Sequence, residues 1–79
     1  MSLERYMKEE LWSVLVETVH ASVMYPTHKA YIREQILDQK PDITSMELAN
    51  RLNIPFGEAL VILHELTEEA KTRSRRSER

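Results

Sequence analysis

The sequence predicts an all-α protein: a long N-terminal helix, then a three-helix unit, then a basic C-terminal tail. Three observations predict it. Apolar residues recur at helical spacing over most of the chain, Pro26, Pro41 and Pro55 cut it into helix-length pieces, and Thr44 with Glu47 forms a helix-start signal.

Residues 3–24 read as one helix. Met7, Leu11, Val14, Leu15 and Thr18 follow the three- and four-residue spacing of one face, and Trp12, Val16, Val19 and Val23 make a second apolar row beside it. No proline or glycine interrupts the run, and Tyr25 ends it because a residue before proline avoids the α region. At 1.5 Å per residue such a helix is roughly 33 Å long, about the width of the domain. One small domain covers one row, so the second, Trp12, Val16, Val19 and Val23, is the expected interface of an isologous homodimer.

Thr27 is the expected N-cap of a second helix reaching about Gln39. Ile32 and Ile36 stand one turn apart with Tyr31 and Leu37 alongside, while Lys29, Arg33, Glu34 and Asp38 take the wet face. Lys40-Pro41-Asp42 is a turn. Thr44 and Glu47 then have capping-box spacing, and Ile43 and Leu48 have that of a hydrophobic staple. A short helix should start at Ser45, run through Met46, Leu48, Ala49 and Leu52, and end near Asn53, a residue type that tolerates the left-handed conformation. Ile54 points back inward. Pro55 opens the next helix, where its missing N–H costs nothing, and Ala59, Ile62, Leu63 and Leu66 are the core row up to about residue 70. The flanks of Ala59 to Leu63 favour helix over a buried strand. Residues 1–70 thus form a single helical domain, and residues 71–79, without apolar side chains, read as a disordered tail.

Size and charge narrow the function classes. A chain of 79 residues with no cysteine has neither disulfide staples nor a thiolate metal site, and oligomerisation is the remaining common stabiliser. One glycine excludes Gly-rich phosphate loops. The net charge of −2 hides a polarity. Residues 1–26 carry two bases against four acids and residues 27–70 four against eight, but residues 71–79 carry five against one. The acidic body ends in a segment suited to polyanions. The N-terminus has no apolar leader, and no stretch is long enough to span a membrane, so a soluble cytoplasmic protein is expected.

From Ile43 to Leu66 the chain resembles the helix-turn-helix core of small regulators, including winged-helix proteins. The capped helix, Leu48, small Ala49, Leu52, the turn residue Asn53, Ile54, and then Ala59 and Ile62 carry the likeness. Residues 27–39 supply the preceding helix of the unit. The resemblance implies a DNA-binding transcription regulator acting as a homodimer. It departs from winged-helix proteins in having no hairpin after the third helix. By the same resemblance the groove-facing positions are Pro55, Phe56, Gly57, Leu60 and Val61, where readers of base edges carry hydrogen-bonding side chains. With Glu58, Glu65, Glu68 and Glu69 and no Lys or Arg between Pro55 and Ala70, that helix looks suited to a protein partner. Phe56, Gly57, Leu60 and Val61 are therefore a groove face or a partner face. Phosphate contacts are expected from Lys71, Arg73, Arg75 and Arg76, with Arg51 and the helix start at Ser45 as further candidates.

Catalytic chemistry is not indicated. Glu17 and His20 have the spacing of a carboxylate-histidine metal pair, but one copy lacks the other acids such a site needs. His64 and Glu68 read as a surface ion pair, and His28 needs no special role. No nucleophile-base arrangement, metal set, cofactor site or small-molecule pocket is expected, and the chain is read as a non-enzyme.

Overall fold

The computed structural model describes residues 3–77, and all regular structure among them is helical. Four helices follow one another: α1, Leu3–His20; α2, Tyr25–Tyr31, prolonged by a π-helical turn over Ile32–Ile36; α3, Ser45–Leu52; and α4, Phe56–Ser77. The core lies within the last three. Ile32, Ile36, Ile43, Leu48, Ala49, Ala59, Ile62 and Leu66 form one buried cluster, with Leu37, Leu52, Ile54 and Leu63 packed around it. This arrangement is consistent with a helix-turn-helix unit, and α1 is added to it from outside.

α3 forms as its sequence requires. Thr44 is extended, its hydroxyl accepts from the Glu47 N–H at 3.1 Å, and the Glu47 carboxylate accepts from the Thr44 N–H at 3.4 Å. The helix ends where Asn53 turns left-handed with φ 56°, and the N–H groups of Asn53 and Ile54 both donate to the Ala49 carbonyl. Pro55 accepts from the Ala59 N–H and so opens α4.

Three boundaries differ from the sequence reading. α1 stops at His20, four residues early, and a turn closed by Ser22 N–H to Val19 O and Tyr25 N–H to Ser22 O redirects the chain ahead of Pro26. α2 starts at Tyr25 with Met24 as its cap, so Thr27 lies inside the helix; Pro26 suits the first turn, where its absent N–H is no loss. The segment expected to be disordered is helical through Ser77. Nothing between Leu66 and Ser77 breaks a helix: glycine and proline are absent, Thr72 Oγ1 bonds back to the Glu68 carbonyl at 3.1 Å, and Lys71 approaches Glu68 one turn earlier. The radius of gyration of 14.1 Å exceeds the roughly 12 Å of a compact chain this size, as helices running past the core require.

Candidate functional site

α1 lies on α4. Its Leu15 fills the space a Cβ on Gly57 would need, with Cδ1 2.9 Å from that position, and Trp12 meets the His64 ring edge-on at 5.2 Å. Gly57, Val61 and His64 succeed one another at helical spacing, so they form one strip of α4, and Val61 within it is fully buried. Val19 is buried as well, and Trp12 and Val16 are half-buried.

Two surfaces anticipated as separate thus cover each other within one chain. The row expected to dimerise, Trp12, Val16 and Val19, is the one turned inward, and Val23 lies beyond the helix end in an exposed turn. Of the first row, Met7, Leu11 and Val14 are left outside, 51%, 66% and 57% exposed, and Thr18 is exposed with them, while Leu15 at the edge of that row turns onto Gly57. Of the anticipated groove face, Val61 is buried, Gly57 is under Leu15, Leu60 is half-buried, and Phe56 remains exposed. Periodicity shows two apolar rows on α1 but not which of them meets a glycine.

The glutamates of α4 also have different surroundings from those expected. Glu58 is buried and paired with His28 Nδ1 of α2. Glu65 accepts from Tyr25 Oη at 2.6 Å and lies 2.6 Å from His20 Nε2. Lys29 Nζ donates to Glu69 Oε2 at 2.6 Å and stands 3.4 Å from Glu65, while Arg33 reaches Glu69 at 3.4 Å. Lys29, expected on a wet face, is instead half-buried and ties α2 to α4, while Arg33 stays exposed as expected and reaches Glu69 from the surface. His20 pairs with Glu65 instead of Glu17, and His64 meets Trp12 instead of Glu68.

The same contacts shift the titrations. Burial pushes the Glu65 carboxyl up, but the bonds from Tyr25 and His20 and the charge of Lys29 outweigh it and hold the group below the ordinary carboxylate range. Glu69 is held down chiefly by the Lys29 hydrogen bond. Burial and the bond to Glu65 raise the Tyr25 phenol. Lys29 is raised in spite of its burial, because its bonds to Glu69 and Tyr25 and the charge of Glu65 favour the ammonium.

Comparison with protein-family models, curated proteins and solved structures returned no match. The chain's own residues therefore carry the functional reading.

The cationic candidates divide. Lys71 and Arg73 are exposed on the C-terminal part of α4. Positions 75 and 76 continue the same helix, but the side chains of Arg75 and Arg76 lie outside the described ones. Arg51 is exposed in the last turn of α3. Ser45 opens that helix, yet the Glu47 carboxylate already occupies its N-terminal end, where a phosphate would meet like charge. Among the described residues no group of three or more acids or histidines is arranged to hold a metal, and no helix is long and apolar enough to cross a membrane.

Proposed function

We propose that this chain is a helix-turn-helix-type protein that holds duplex DNA by its phosphate backbone, through the basic C-terminal part of α4, as part of transcription regulation in the cytoplasm. The observation that carries the reading is the continuity of α4 through Ser77. It strings Lys71, Arg73, Arg75 and Arg76 along one helix running on from the core. A preformed helix loses less conformational freedom on meeting a polyanion than a disordered tail would. Upstream, Glu58, Glu65 and Glu69 are engaged by His28, His20, Lys29 and Arg33, which reduces their repulsion of phosphate. Base reading has no place in this role, because α1 covers the strip of α4 around Val61 and the exposed Phe56 has no hydrogen-bonding group.

The test is a titration with random-sequence duplex DNA at two salt concentrations. Replacing Lys71, Arg73, Arg75 and Arg76 together by Gln should remove most of the affinity and flatten the salt slope by about one unit for each phosphate no longer neutralised. Phe56→Ala should leave binding nearly unchanged. Tight binding to a defined sequence that survives the four Gln substitutions and disappears in Phe56→Ala would sink the proposal.

A second reading, a protein-interaction module, is favoured by one observation: the exposed Met7, Leu11 and Val14 row. Three large apolar side chains in line on the exposed face of α1 suit a contact with a second copy of the chain. On this reading the contact belongs to the outer row of α1, since the hydrophobic strip of α4 is already covered.

A further inference from the structure

The homodimer reading leaves open what the outer row of α1 meets, and a groove on the far side of the molecule answers its shape and charge. Between the C-terminal half of α4 and the segment following α2 lies a groove of about 540 Å³. Leu66 and Ile43 are buried at its base, Leu37 and Leu63 flank them, and exposed Ala70 and Lys71 form its rim. The strip of α4 that faces it, Leu63, Leu66 and Ala70, lies nearly half a turn, about 150°, around the helix from the Gly57–Val61–His64 strip that α1 covers. The chain's own α1, seated on that other strip, is not free to fill it. An α1 helix that fills this groove therefore comes from a second molecule.

We infer that the Met7–Leu11–Val14 row of α1 docks in this groove on a second copy, which returns the same contact. The inference rests on the homodimer reading and specifies its geometry. Charge selects this pairing over a row-on-row one. Glu10 and Glu17 run along one edge of the row, and Leu15, already seated on Gly57, closes the other. Two such rows packed antiparallel set the Glu10–Glu17 edges against each other, and packed parallel they need the Leu15 edge that α4 occupies. The groove instead offers the exposed Lys71 ammonium at its rim, whose nearest carboxylate, Glu68, stands 3.9 Å away. An isologous dimer makes the contact twice, which doubles the apolar area withdrawn from water.

Sedimentation of the full-length protein with two charge variants tests it. Leu11→Lys brings like charge to Lys71, and Ala70→Glu brings like charge to Glu10 and Glu17. Both positions are exposed, and unchanged far-ultraviolet circular dichroism checks that each variant folds; Leu11→Gln and Ala70→Gln are the milder pair should either fail. The unmodified chain should dimerise at high micromolar concentration, and each variant alone should be weakened by about tenfold or more. An equimolar mixture should recover the dimer, because one interface is then unaltered and the other pairs Lys with Glu. A dimer abolished in Leu11→Lys but untouched by Ala70→Glu, or not recovered on mixing, overturns the groove while leaving the homodimer reading intact. A monomeric unmodified chain overturns both.

Discussion

The Thr44 hydroxyl and the small side chain of Ala49 do different work in α3. Thr44 satisfies the Glu47 N–H, a donor the helix itself leaves unpaired, so Thr44→Ala should cost about 1 kcal/mol. Ala49 is buried in the core cluster that α3 and α4 share. Ala49→Leu forces extra methylenes into that space and should cost about 1–3 kcal/mol. Urea titration of both variants checks the order of the two effects. A neutral Ala49→Leu would mean that α3 and α4 do not approach closely there.

Docking of α1 depends on Gly57. Leu15 occupies the place of its missing Cβ, so size at this position governs how α1 seats. Gly57→Ala should change stability little: the Leu15 methyl it displaces is the end of a flexible side chain, and alanine gains roughly 0.5–1 kcal/mol of helix preference over glycine. Gly57→Leu should wedge the helices apart, costing about 1–3 kcal/mol and exposing Trp12. Trp12 fluorescence measured alongside denaturation reads both consequences. A Gly57→Leu protein with unshifted emission and unchanged stability would refute the seating of α1 described above.

The charged contacts that Tyr25, Lys29 and Arg33 make with α4, joined by His20 at the end of α1, give the molecule a pH window. Glu65 and Glu69 titrate lower in the folded protein than in the unfolded chain. Their contribution is therefore present above the unfolded value of about 4.3 and is lost as pH falls through the folded values. Lys29 and Tyr25 are raised, so theirs is present below unfolded values near 10 and is lost as pH rises through the folded ones. The denaturation midpoint should accordingly be highest between about pH 5 and 10 and fall on both sides. Glu65→Gln removes a carboxylate that serves Tyr25, His20 and Lys29, should cost about 1–2 kcal/mol at neutral pH, and should flatten the acid limb. An acid limb unchanged in Glu65→Gln would show that another group controls it.

Much of the fold was legible because its signals are local. The capping box, the left-handed Asn53 and Pro55 act within a few residues of one another, and the all-α class and the borders of α3 follow from them directly. The core row of α4 was legible from its spacing. The candidate surfaces were not, because they depend on which segment meets which. Lys29 carries the same charge whether it faces water or Glu69, forty positions along the chain. Both rows of α1 are apolar, and nothing in their periodicity distinguishes inside from outside. That was decided in three dimensions: a glycine on α4 left a hollow the size of a methyl group, Leu15 filled it, and the face of α1 turned to water was set by that fit.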